Sequence, residues 1–210
     1  MSEGDRYPVP ASTARIVQVI ERSRFIATVG PAASVEEATA FVRAVSEEHA
    51  DATHNCWAYV VGPPGSTGRI GLSDDGEPHG TAGRPMLTVL LHGGVGDVAA
   101  VVTRYYGGVK LGTGGLARAY SGAVKEALER MPRTDRVTWM PLVIGVDYAA
   151  VNAMRLLFPR YEAVVDDEAY ADAVTYRVRV PASRRAELLV AVRDATNGRA
   201  VISEPTSDSE

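Results

Sequence analysis

The sequence predicts an α+β chain of two consecutive blocks, and three observations carry the prediction. Segments of strand length alternate apolar and polar residues, five stretches repeat apolar residues at helical spacing, and a short polar break at residues 132–136 separates the two sets. With 46% apolar and 23% charged residues over 210 positions, the chain can bury a core and has too much apolar surface for a disordered segment.

After a tail to about Pro10, Arg15 to Val19 and Ser23 to Val29 read as strands, the second with Phe25, Ala27 and Val29 on one face. Gly30-Pro31 ends that run. Ser34-Val35-Glu36-Glu37 is a capping box, in which the Ser34 hydroxyl and the Glu37 carboxylate each take up a free helical amide. Ala38, Phe41, Val42 and Val45 carry this helix to about Glu48. His54 to Val61 alternates as a strand, with Cys56, Ala58 and Val60 facing one way. From Gly62 to Arg84 the chain is glycine, proline, serine and acid, too polar for a core element and too long for a connector, which marks a functional loop. Pro85 suits the first position of a short helix over Met86 to Leu91. Val98 to Tyr106 reads as a strand, GGVKLGTGG as a glycine loop, and the stretch from Leu116 as a helix burying Ala119, Tyr120, Ala123, Val124, Ala127 and Leu128.

In the second block, Trp139 to Tyr148 reads as a strand, Ala149 to Phe158 as a helix, and Glu162 to Asp167 and Val174 to Val180 as strands. Ala182 to Thr196 then forms a helix ended by Asn197-Gly198, and Arg199 to Ser203 a last strand. The order βαββαβ is that of a ferredoxin-like unit. The expected domains are therefore residues 1–135 and 136–210.

The charge balance of 22 basic against 26 acidic residues, net −4, excludes a general polyanion sponge and leaves room for a local basic patch. One cysteine, Cys56, forms no internal disulfide, which fits a reducing cytoplasm. The N-terminus carries acids and prolines where a secretory signal needs a basic start and an apolar run, and no apolar run approaches the roughly 20 residues that cross a bilayer. The expected location is the cytoplasm, with no membrane association.

The strongest motif is VTRYYGGVKLGTGGL, residues 102–116. Its glycines Gly107, Gly108, Gly112, Gly114 and Gly115 let backbone amides approach a ligand, and the following helix adds its positive end. Arg104, Lys110 and Arg118 supply cations for a phosphate, while Tyr105, beside Arg104 and with Arg24 elsewhere in the chain, suits a stacked base. Of the adjacent Tyr105 and Tyr106, one must face the core. The spacing is not that of a Walker loop, because Lys110 lies inside the glycine cluster. Tight strand-to-helix packing is the plainer alternative. The second motif, SDDGEPHGTAG, gathers Asp74, Asp75 and Glu77, which suit either a hard cation, a base or a network of turn hydrogen bonds. The turn network is favoured, since the spacing lacks a calcium-loop ladder. His54, two residues from Cys56 on one strand face, joins the candidate binding residues, whereas Cys56 itself reads as core packing. No metal-ligand spacing and no cofactor motif occurs.

Ser23-Arg24-Phe25, HADATHNC at 49–56, SDDGEPHGTAGRP and VVTRYYGGVKLGTGGLARAY together resemble the Impact family, in its bacterial YigZ-like branch. The resemblance implies an N-terminal domain similar to domain 2 of ribosomal protein S5 and to domain IV of elongation factor G. It also implies a C-terminal ferredoxin-like domain similar to that factor's last domain. Eukaryotic members are implied to regulate translation in starvation stress by competing for an activator of an initiation-factor kinase, and they carry an additional N-terminal protein-binding domain, for which the roughly ten residues before the first strand leave no room. Bacterial members are implied to be cytoplasmic proteins that bind nucleic acid or the translation machinery, with no established reaction.

The leading expectation is a non-catalytic, translation-associated regulator contacting RNA or a ribosomal surface through the glycine-loop face. An enzyme acting on a phosphorylated small molecule is the first alternative. A module that binds a protein partner or a second copy of itself is the other.

Overall fold

The computed structural model describes residues 6–205 and divides into two compact units, Tyr7–Arg136 and a second from Val137 onward that Arg6 joins. It is a mixed α and β structure throughout.

The N-terminal unit is built on a five-stranded antiparallel sheet of β2 (Ala14–Ile20), β3 (Ser23–Pro31), β6 (Val98–Tyr105), β4 (His54–Val60) and β5 (Ile70–Ser73), in that spatial order. Alternation gives each inner strand two faces. Phe25, Ala27 and Val29, Cys56, Ala58 and Val60, and Val98, Ala100 and Val102 form one face, buried under α2 (Gly83–His92) and α3 (Gly112–Arg130). Ala99 and Tyr59 belong to the other, packed against α1 (Val35–Glu48). The capping box operates with one change of partner: Ser34 Oγ accepts from Glu37 N–H at 3.2 Å, while the Glu37 carboxylate reaches past the cap to Ala33 N–H at 2.8 Å.

Five elements differ from the sequence expectation. The N-terminal tail and the polar break contain β1 (Arg6–Pro10) and β7 (Arg133–Val137), which pair only with each other across the chain. The long polar loop contains β5, held by four register pairs to β4. Helix α2 starts at Gly83, so Pro85 is its third residue, which also lacks an intrahelical acceptor for its amide. Helix α3 starts at Gly112, so the second half of the glycine run is a helical turn.

In the C-terminal unit, β8 (Trp139–Val146), α4 (Val151–Arg160), β9 (Val164–Tyr170), β10 (Val174–Pro181), α5 (Ala182–Ala195) and β11 (Val201–Ser203) follow the βαββαβ order. The sheet order is β11-β8-β10-β9 and all pairs are antiparallel. Leu142, Ile144, Val146, Tyr176 and Val178 meet Met154, Phe158, Leu188 and Val192 in a separate core.

Candidate functional site

Strand alternation determines which side chains reach the site. On β6, Arg104 continues the inward series Val98, Ala100, Val102, so the residue is only 4% exposed. A buried guanidinium needs compensation. Glu77 supplies it: Arg104 Nη1 donates to Glu77 Oε1 at 2.6 Å, and Nη2 donates to Ser23 Oγ at 3.3 Å. The rings of Phe25 and Tyr106 have centroids 5.4 and 5.2 Å from the guanidinium carbon. Arg104 Nε is buried without a partner. Glu77 Oε1 also accepts from the Tyr120 hydroxyl at 2.8 Å. Burial first, with Cys56 and Glu77 acting in the same direction, pushes the Tyr120 hydroxyl well above its ordinary value, so it remains a donor. Glu77 Oε2 has no hydrogen bond among the described residues and is not one of the fully buried unpartnered atoms, so it retains contact with solvent.

The acidic loop that carries Glu77 is a network of turn hydrogen bonds. Asp74 Oδ2 accepts from Gly80 N–H at 2.7 Å, and Oδ1 accepts from Ala82 and Gly83 N–H at 3.0 and 2.8 Å. Burial opposes ionisation of Asp74, but the three amides outweigh it and hold the carboxyl below its ordinary value. Asp75 Oδ2 accepts from Asn55 N–H at 2.6 Å, and the Asp75 carbonyl is 2.7 Å from His54 Nδ1. A carbonyl only accepts, so Nδ1 carries the proton and Nε2 faces Glu77 Oε1 at 4.0 Å. The Cys56 thiol donates to the Asp74 carbonyl at 2.9 Å, and burial pushes it up to about 12. No group of three His, Cys, Asp or Glu side chains suited to a metal ion occurs among the described residues.

On the other side of the site, Gly112 with φ +67 turns the glycine loop into α3, and no side chain caps the first turn. Gly112, Thr113 and Gly114 are exposed, so the positive end of a 19-residue helix opens to solvent. Gly107 allows the close approach that places this loop: a Cβ there meets the Arg22 backbone at 2.1 Å, and its N–H donates to Ser23 Oγ at 3.2 Å. The acidic loop and the glycine loop enclose a cavity of about 340 Å³ lined by Glu77, Pro78, Arg104, Tyr106, Lys110 and the start of α3. A second hollow of about 470 Å³, walled by Ile20, Glu21, Gly115 and Arg118, shares Lys110 and Leu111 with the first.

The structure brings together Arg104, Lys110, Gly112 and Glu77 in the first cavity, and Lys110, Gly115 and Arg118 in the second. Gly114 borders Arg118, and Gly108 takes φ +87 in the loop before them. His54 lies under the acidic loop, with Asp74 and Asp75 engaged in its turns. Tyr105 and Arg24 are not part of this group. They face the α1 side of the sheet, where Arg24 lies 4.3 Å over the Tyr105 ring and the Tyr105 hydroxyl donates to Asp51 Oδ1 at 2.8 Å. Tyr106, just beyond the end of β6, takes the place in the cavity wall that Tyr105 cannot reach. Arg104 is an internal, paired cation and not a free surface one; the period-two pattern through Val102 already carried that signal. Tyr120 was legible only as a core residue of α3, and Ser23 as a strand position.

Comparison with known proteins covers both units. Residues 21–128 match the Impact N-terminal domain, and residues 144–199 match the domain of unknown function DUF1949. The chain is 40% identical over 190 residues to the IMPACT family member YigZ of Escherichia coli, spanning 90% of this chain and 93% of that protein. It is 36% identical over 186 residues to the IMPACT family member YvyE of Bacillus subtilis, spanning 89% and 85% of the two. A crystal structure of a hypothetical protein superposes with a TM-score of 0.67 at 37% identity, over 97% of this chain and 99% of that one. No helix among the described residues is long and apolar enough to cross a membrane.

Proposed function

The chain belongs to the Impact family, and from that premise we propose that its N-terminal unit binds single-stranded RNA, as a non-catalytic cytoplasmic partner of the translation machinery. One observation carries the reading: two adjoining cavities share Lys110 and Leu111 in their walls, and their linings gather Arg104, Lys110, Arg118 and the uncapped start of α3. A single phosphate needs only one of them. Two adjoining cavities suit consecutive phosphates of a strand, with helix amides and cations as donors. Tyr106, 45% exposed at the rim, offers a ring on which a base can stack. Lys110 and Arg118 are exposed and make no ion pair among the described residues, so their charge is available. Glu77 and Glu21 offset part of this field, which implies modest affinity with a steep salt dependence. The only thiol, Cys56, is buried and held protonated, which supports binding over nucleophilic chemistry.

The enclosure of the first cavity by both loops favours a second reading, a phosphorylated small molecule held between Glu77 and Lys110. One experiment separates the two. Fluorescence anisotropy of a labelled single-stranded RNA with the full chain, at low and physiological salt, is expected to show binding that Lys110→Glu with Arg118→Glu weakens by about tenfold or more. Affinity unchanged by both reversals overturns the RNA reading.

A further inference from the structure

The two oxygens of Glu77 stand in different situations, and the difference points to the ligand's sugar. Oε1 is saturated, accepting from Arg104 Nη1 at 2.6 Å and from the Tyr120 hydroxyl at 2.8 Å. Oε2 has no partner among the described residues, although the side chain is only 3% exposed and lines the first cavity. A carboxylate oxygen only accepts, so whatever meets Oε2 in a filled cavity must donate. The phosphodiester of a nucleic-acid strand carries no proton and cannot do so. The donors a phosphate needs, Lys110 and the first-turn amides of α3, lie in the same cavity wall. The ligand that fits both halves therefore carries an anionic group with a hydrogen-bond donor beside it, and in a nucleotide strand the donor next to each phosphate is the ribose hydroxyl.

We propose that Glu77 Oε2 accepts a hydrogen bond from a ribose 2′-hydroxyl while Lys110 and the α3 terminus hold an adjacent phosphate, so that the site distinguishes RNA from DNA. This rests on the RNA reading above and adds to it the group that is read. A carboxylate on a ribose hydroxyl beside a helix terminus on phosphate is a pairing that nucleotide-binding folds use for the same reason: each half of the nucleotide meets the opposite polarity. Here the carboxylate is fixed before the ligand arrives. Arg104 and Tyr120 hold Oε1, so no rotamer needs to be frozen on binding. The 2′-hydroxyl is also the group by which a protein tells RNA from DNA.

The test compares one single-stranded sequence as RNA, as 2′-deoxy and as 2′-O-methyl strands, bound to the full chain by anisotropy. RNA is expected to bind at least about tenfold more tightly than either, as loss of a hydrogen bond to a charged acceptor implies. Lys110→Glu weakens all three strands alike, because it acts on the phosphate. Glu77→Gln keeps size and an acceptor for Arg104 and is expected to bring the RNA and DNA affinities to within about threefold. If that variant fails to fold, the three strands on the unmodified protein still decide. Equal binding of all three, with Lys110→Glu weakening each, overturns the ribose assignment and leaves the RNA reading standing. Binding by none of them overturns both.

Discussion

Of the eight buried serine, threonine and charged residues, seven lie in Tyr7–Arg136, whereas the C-terminal unit buries only Thr196 among the described residues. Its ion pairs stay outside, as in Arg179–Asp166, where the side chains are 47% and 40% exposed. In Arg104–Glu77 they are 5% and 3% exposed. The C-terminal unit thus takes its cohesion from one apolar cluster, with charge left in water where it costs little. The N-terminal unit accepts the desolvation of two charges beside a cavity. A buried pair of this kind adds little net stability over an apolar substitute, so its position in the wall of the first cavity is the feature that distinguishes it.

The sharpest way to break this contrast is to remove one partner in each unit. Glu77→Ala leaves Arg104 charged and Tyr120 unpaired inside the fold and is expected to destabilise by about 3–5 kcal/mol in urea denaturation. A loss under about 1 kcal/mol would mean that water already compensates Arg104, and the two units would not differ.

Next in size, Asp74→Asn places an amide NH₂ against backbone donors and is expected to cost about 1–3 kcal/mol near neutral pH. Because the folded carboxyl is held below its ordinary value, this contribution is complete above the unfolded value near about 4. It is lost as pH falls through the folded value. Urea melts of both proteins from neutral to acid pH are expected to converge at the acid end; a constant gap would show that the amides do not favour the charged form.

The smallest effect belongs to the C-terminal unit. Arg179→Ala is expected to leave the urea midpoint nearly unchanged, with any small shift disappearing in high salt. A larger, salt-independent loss would show that this pair acts through packing over Trp139, whose ring lies 5.6 Å from the guanidinium.

Much of the fold follows from local signals. The capping box at Ser34, the inward series of β3, β4 and β6, the stripe of α3 and the βαββαβ order each depend on residues close in sequence. The elements that escaped depend on partners far away. Arg133–Val137 has almost nothing apolar to mark it, and it is a strand because Arg6–Pro10 pairs with it. Ile70–Ser73 is four residues long in a glycine-rich stretch and becomes a strand on the edge of β4. The first turn of α3 has glycine at three of its four positions, Gly112, Gly114 and Gly115 beside Thr113, a composition that propensity assigns to a loop.

The candidate site divides in the same way. Residue type and period determined that a helix follows the glycine motif, and the alternation of β6 puts Arg104 on the face of Val102 and not on that of Tyr105. Only the tertiary structure decided that Glu77, 27 positions from Arg104, pairs with it, and that Tyr120 donates to the same oxygen. A charge inside a protein is stable only with its counter-charge and donors in place. Sequence shows that Arg104 must find such a partner; which carboxylate meets it depends on how the loop closes over the sheet.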